Sequence, residues 1–169
     1  AWWRRKEMSG GQTVEQTIHV TDTARYLFGE VVSVYAGGRT GLMADVEDYN
    51  IEDASAATLI FENGTLATIF SACFLSHGRK GGIDIFTKDM TIEYRERSSI
   101  TVSQAGRSET IEVQNEYWQE MDAAFIEAVR TGDGSGLRSP YAEGVKTQQV
   151  VMAVNRSLET GEPVMIADV

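Results

Sequence analysis

Gly10-Gly11-Gln12-Thr13-Val14-Glu15-Gln16-Thr17-Ile18-His19-Val20-Thr21-Asp22-Thr23-Ala24-Arg25-Tyr26-Leu27-Phe28-Gly29 reads as a glycine elbow, an uninterrupted helix from Gln12 to Phe28, and a glycine stop. At the helical period, Val14, Ile18, Val20, Ala24, Leu27 and Phe28 spread over one broad apolar face, expected to lie on a core. Glu15, His19, Asp22 and Tyr26 fall within about 60° of one another on the other side, a polar stripe turned away from that core. A carboxylate four residues before a histidine can hold the imidazole in one orientation and raise its basicity, as a general acid or base requires. An ordinary helix pair worth about 0.3–0.5 kcal/mol has the same spacing.

Downstream, strand character marks Glu30 to Ala36, Ala54 to Phe61, Thr65 to Phe74, Ile83 to Thr87, Met90 to Arg95, Ile100 to Ser103 and Glu109 to Val113. Asn63-Gly64 and Lys88-Asp89 are hairpin turns, which make neighbouring strands antiparallel. Gly37 to Asp53, rich in Gly, Asp and Glu, reads as a long excursion off the sheet. Amphipathic helices follow at Tyr117 to Arg130 and from Ser139-Pro140 to about Glu159, with a short strand at Val164 to Ile166. This order predicts an α+β fold, a mostly antiparallel (mixed) open β-sheet with helices packed on one face. The apolar alternation on both sides of Ala54 to Phe74 predicts that a second copy of the chain covers the other face, giving a homo-oligomer.

With 169 residues, 42% hydrophobic and 24% charged, the chain is sized for one globular domain. Its net charge of −10 disfavours nucleic acid as a partner. Cys73 is the sole cysteine, which excludes an intrachain disulfide, and its apolar setting reads as a buried strand. No apolar run approaches a membrane span and no secretory leader is visible, so no membrane is expected and a cytoplasmic location is. Two distant histidines, His19 and His77, make no metal set, and the acids Asp45, Glu47, Asp48, Glu52 and Asp53 lack the spacing of a calcium loop. His77-Gly78-Arg79-Lys80 reads as a solvated hairpin loop. Gly132-Asp133-Gly134-Ser135-Gly136 follows a helix, and Gly37-Gly38-Arg39-Thr40-Gly41 runs into carboxylates, so neither reads as a dinucleotide site.

The opening motif, continued by Arg25-x-Leu27-x-Gly29-Glu30-Val31-x-x-Val34, resembles the start of the C-terminal domain of the glucose-fructose oxidoreductase and inositol dehydrogenase family, Gfo/Idh/MocA. Asp53-Ala54-Ser55, Phe61-Glu62-Asn63-Gly64-Thr65-Leu66-Ala67 and Ser157-Leu158-Glu159-Thr160-Gly161-Glu162-Pro163-Val164 extend the resemblance over nearly the whole chain. It implies a substrate-binding and catalytic domain of an NAD(P)-dependent oxidoreductase acting on a sugar, polyol or related hydroxy compound. The NAD or NADP would be bound by an N-terminal Rossmann domain absent from this chain, and the fragment alone would be inactive.

The resemblance also makes His19 the proton carrier and Glu15, commonly Asp in the family, its orienter. The family's Lys in a Glu-Lys-Pro motif has no counterpart here. Asp22 and Tyr26 on the same stripe are candidates for binding substrate hydroxyls. The start, Trp2 to Lys6, either stacks on a sugar, with Lys6 its best candidate for contact, or packed as a linker on the missing domain. Beginning at Ala1-Trp2-Trp3, the chain is expected to be one half of a longer enzyme. The rival readings are a non-catalytic α+β binding or oligomerisation module, and a metal-dependent hydrolase using the acidic 45–53 loop.

Overall fold

The computed structural model describes residues 1–77, 81–114 and 116–169. Gly78-Arg79-Lys80, most of the loop read as solvated, lies outside the described residues. Contacts divide the chain into two compact units, Ala1–Ser76 with Tyr141–Val169, and His77–Pro140.

The first unit begins with a 3-10 turn at Trp2–Arg4 and a short helix α1, Lys6–Ser9. After Gly10-Gly11 the chain enters a π-helical turn, Thr13–Thr17, that continues as α2, Ile18–Phe28. Strands β1 (Val31–Arg39), β2 (Ala54–Phe61) and β3 (Leu66–Ala72) follow, and α4 (Tyr141–Thr160) with β8 (Val164–Met165) completes the unit. The sheet order is β3-β2-β1-β8, antiparallel throughout. At the β2–β3 hairpin Asn63 accepts the Thr65 amide through Oδ1 at 2.9 Å, the Asx-type turn that the Asn-Gly pair announces.

Alternation places Ala57, Leu59 and Phe61 of β2 on the helix-covered face, with Val34 and Ala36 of β1. Val31 joins the same face although it is out of phase with them, because a register shift between Val31 and Ser33 inserts one residue. Against these α4 lays Val150, Ala153 and Val154. Ser157 stitches α4 to the sheet, accepting the Ala36 amide at 2.8 Å and donating to the Glu162 carbonyl at 2.7 Å. The opposite face exposes Tyr35, Ile60, Leu66, Phe70 and Met165.

In the second unit β4 (Gly82–Phe86), β5 (Met90–Arg95), β6 (Ser99–Gln104) and β7 (Arg107–Glu112) form an antiparallel meander, followed by α3 (Tyr117–Thr131). Ile85, Ile92 and Val102 lie in register across one face. Hydroxyl pairs Thr101–Thr110 and Ser103–Ser108, each 3.0 Å, lie on the other. Arg97 stacks 5.4 Å over the Trp118 ring at the start of α3.

The α+β class and the antiparallel pairing are as the sequence predicts, with three differences. The strands form two sheets instead of one, because β4 pairs with β5 and not with β3. The excursion begins only at Thr40, since Gly37, Gly38 and Arg39 continue β1 opposite Ala56, Ser55 and Ala54. The third difference is the buried face of the first helix. Thr13, Thr17, Thr21, Ala24 and Arg25 are buried, whereas Leu27 is exposed and Val14, Ile18 and Val20 are half-buried. Threonine reads as polar in a hydropathy pattern, but here Thr21 donates its hydroxyl to the Thr17 carbonyl at 3.2 Å, leaving its methyl group to pack closely. Cys73 likewise sits just past β3 and is half-buried, because β3 is an edge strand whose inward-facing Ala67, Ile69 and Ser71 are themselves only half-buried.

Candidate functional site

The excursion at 40–53 is the seat of the N-terminal segment. Asn50 donates its amide to the Arg4 carbonyl (3.0 Å), accepts the Lys6 amide through Oδ1 (2.6 Å) and donates Nδ2 to Glu7 (3.0 Å). Trp3 meets the Tyr49 ring edge to face at 6.3 Å. Lys6 Nζ pairs with Glu52 at 2.6 Å and with Glu159 at 3.6 Å, so its charge is already compensated within the fold. Asp53, fully buried, anchors the far end of the excursion. Its amide donates to the Arg39 carbonyl and its own carbonyl accepts from Cys73, both at 2.8 Å, while Oδ2 accepts the Leu42 amide at 2.7 Å.

The elbow then turns the chain into the helix. Gly10 and Gly11 have φ of +77° and +90°, a region costly for side chains with a Cβ. A Cβ on Gly11 would also stand 3.0 Å from Glu52 Oε2. Asn155 of α4 fixes the elbow by donating Nδ2 to the Gly10 carbonyl at 2.7 Å.

Glu15 lies inside the π-helical turn, half-buried, and His19 is exposed one turn later. Turns of this kind are rare and concentrate at functional sites. No hydrogen bond joins Glu15 to His19 among the described residues, so the shared face is present without the bonded pair that the spacing allows. Glu15 instead lies within electrostatic reach of the Cys73 thiol. Burial raises that thiol above its ordinary value, Tyr49 opposes the shift, and Asp53, Glu52 and Glu15 reinforce it. Cys73 Sγ points to the Glu52 carbonyl at 3.6 Å. The Tyr49 phenol faces the thiol without a well-formed hydrogen bond, and burial, followed by the Cys73 thiol itself and then Asp53 and Glu52, pushes its pKa far up. Both groups are therefore neutral at physiological pH, a polar but uncharged floor among carboxylates.

Asp22 and Tyr26, the other members of the stripe, diverge. Tyr26 is exposed. Asp22 accepts the Thr147 hydroxyl at 2.6 Å, and Thr147 accepts Arg25 Nη1 at 2.8 Å. Arg25 is buried and ion-paired to Glu30 (2.8 Å) and Glu143 (3.0 Å), with Lys146 bridging both acids. Hydrogen bonding to Arg25 lowers the Glu30 carboxyl pKa despite its partial burial, and bonding to Lys146 and then Arg25 lowers that of Glu143. Asp22 is thus tied into the network that fixes α2 on α4.

Neither glycine-rich stretch fits a dinucleotide pyrophosphate. Gly132 caps the C-terminus of α3, where carbonyls rather than amides are free, and Gly37-Gly38 is paired strand. Among the described residues no group of three His, Cys, Asp or Glu side chains could hold a metal ion, and no helix is long and apolar enough to cross a membrane.

Sequence reasoning missed Tyr49, Asn50, Thr147 and Asn155 and counted Glu52 only as loop acid. Each acts on a partner some 40 to 145 positions away, beyond any local pattern. The one available signal was the Gly10-Gly11 pair, whose second member leaves room for Glu52.

A family model described as the GFO/IDH/MocA C-terminal domain matches residues 1–93, the region containing the elbow, Glu15 and His19. The uncharacterized oxidoreductase YrbE of Bacillus subtilis (strain 168) is 28% identical over 170 residues, covering 94% of this chain and 49% of that protein. Among solved structures, the aldose-aldose oxidoreductase of Caulobacter crescentus complexed with glycerol superposes with a TM-score of 0.78 at 21% identity, over 98% of this chain and 50% of that one. Levoglucosan dehydrogenase in complex with NADH gives 0.78 at 18% identity, over 98% and 53%. The chain therefore spans about half the length of these proteins. By the extent of the family match and the agreement in fold, this chain belongs to the GFO/IDH/MocA oxidoreductase family and carries its C-terminal domain.

Proposed function

We propose that residues 1–169 form the substrate-binding and catalytic C-terminal domain of an NAD(P)-dependent oxidoreductase acting on a sugar, polyol or related hydroxy compound. The carrying observation is the family match over residues 1–93, which includes both Glu15 and His19. The glycerol and NADH bound by two relatives in fold support the substrate class and the cofactor. The cofactor, which accepts hydride in such enzymes, would be held by residues outside this chain. The isolated chain should then give no turnover. NAD(P)H formation by the purified 169-residue chain supplied with NAD(P) and glucose or myo-inositol would overturn this.

His19, exposed on α2, is the proton carrier for the substrate hydroxyl, and Glu15 on the same face is its orienter. Lys6 and Tyr26 contact substrate from the flanks, while Asp22, held by Thr147, contributes its second oxygen. In a full-length parent, His19→Ala should lower kcat by about 10²–10⁴-fold, the usual range for a positioned acid or base. The exposed sheet face of Tyr35, Ile60, Leu66, Phe70 and Met165 is proposed as a homo-oligomer interface, and the location as cytoplasmic.

The absent Glu15–His19 hydrogen bond favours a second reading, a non-catalytic α+β binding or oligomerisation module. Wild-type turnover by His19→Ala would support it.

A further inference from the structure

Two of the buried polar side chains of α4 both give and take a hydrogen bond. Thr147 donates to Asp22 and accepts from Arg25, and Ser157 accepts the Ala36 amide and donates to the Glu162 carbonyl. Asn155, only 6% exposed beside the buried Val154, is different. Its Nδ2 donates to the Gly10 carbonyl at 2.7 Å, but its Oδ1 is buried with no hydrogen-bond partner among the described residues. A buried acceptor left unpaired costs at least as much as one ordinary internal hydrogen bond returns. Stability alone therefore does not account for an amide at this position, where an apolar side chain would serve as well. What the amide adds is the group its one bond holds.

That group belongs to the elbow. Gly10 turns at φ +77° close against Val14, and an added Cβ would stand 2.9 Å from the Val14 side chain. The next carbonyl, that of Gly11, accepts the Glu15 amide at 3.0 Å. Asn155 is thus joined to Glu15 by two hydrogen bonds that meet at the Gly10-Gly11 peptide. Glu15 lies in the π-helical turn, an arrangement rarer than the α spacing, and the tie from α4 holds the start of that turn from outside the helix.

We infer that Asn155 is a positioning residue for the proton transfer proposed above: by tying the Gly10 carbonyl to α4 it fixes the elbow and, through it, Glu15 and the face shared with His19. The use made of Glu15 and His19 rests on that proposed function, whereas the mechanical link from Asn155 to Glu15 does not.

Two variants test it. Asn155→Leu is close in shape and has no donor, and Asn155→Asp keeps the shape but, ionised, only accepts. Amide hydrogen exchange read residue by residue compares Glu15 with Gly29, whose amide bonds the Arg25 carbonyl at 2.9 Å at the far end of the same helical segment. In both variants the Glu15 amide should exchange about tenfold or more faster relative to that of Gly29, and Asn155→Leu should have a Tm no lower than wild type. In a full-length parent, kcat of either variant should fall by about 10–10²-fold with the cofactor KM unchanged. A Glu15-to-Gly29 exchange ratio unchanged from wild type overturns the inference and marks Asn155 as merely structural. So does wild-type kcat in these variants where His19→Ala lowers it. Wild-type turnover by His19→Ala overturns the proposed function instead, and the exchange ratio then decides the link from Asn155 to Glu15 by itself.

Discussion

The two ends of the first long helical segment are built on different terms. Its C-terminal half carries Asp22 and Arg25, whose charges are met by Thr147, Glu30 and Glu143. Its N-terminal half carries Glu15 and His19 on the π-helical turn and its continuation, with no such side-chain partner for either among the described residues. Around the elbow, Gln12 Oε1, Glu52 Oε2 and Asn155 Oδ1 are buried without a hydrogen bond among the described residues. One half is satisfied and fixed on α4, and the other holds polar groups in reserve. Where chemistry is proposed, the fold tolerates local inconsistency, and the tied half keeps it in place.

This contrast breaks most visibly at Arg25. Arg25→Met removes a buried cation and leaves Glu30, Glu143 and Thr147 facing its site without their shared donor. Breaking a buried pair from one side typically costs about 3–5 kcal/mol. Glu30 and Glu143 remain partly exposed, which puts the expected loss near about 3 kcal/mol by urea unfolding. A loss below about 1 kcal/mol would mean that α2 is held by its threonine face and not by the ionic network.

A smaller effect is expected at the elbow. Gly11→Ala would place a Cβ 3.0 Å from Glu52 Oε2 at φ +90°, combining backbone strain with displacement of the Lys6 partner. We expect about 2 kcal/mol, from a left-handed cost of about 1–2 and a weakened ion pair. Unchanged stability would show that the elbow relaxes freely and that Gly11 is not what fixes the start of the helix.

These differences also explain what the sequence disclosed. The extent of the first helix, the hairpin at Asn63-Gly64 and the antiparallel order were legible because each follows from local spacing and turn chemistry. The helix's buried face was not, since Thr17 and Thr21 give their hydroxyls to helix carbonyls, which hydropathy does not count. The pairing of Lys6 with Glu52 was not legible because the two are 46 positions apart, and Arg25 appeared only as a motif letter because Glu143 is 118 away. Glu15 and His19 were the reverse case: the spacing announced them, but the bond it permits is not formed.

The smallest expected effect concerns pH. Hydrogen bonding to Arg25 holds the Glu30 carboxyl below its ordinary 4.5, so the folded state binds that proton less readily than the unfolded one. A depressed carboxyl contributes stability that is present above the unfolded value and lost as pH falls through the folded one. Glu143 shifts in the same direction, with Lys146 as its main partner. Wild-type Tm should therefore decline as pH is lowered from about 5 to 3, in line with carboxylates that must protonate. Glu30→Gln removes one of these groups, so its Tm at pH 7 should be lower while its decline over the acid range is shallower. Parallel Tm curves for the two proteins would mean that Glu30 is fully screened by water. The C-terminal half of the helix would then owe its fixation to Thr147 and Glu143 alone.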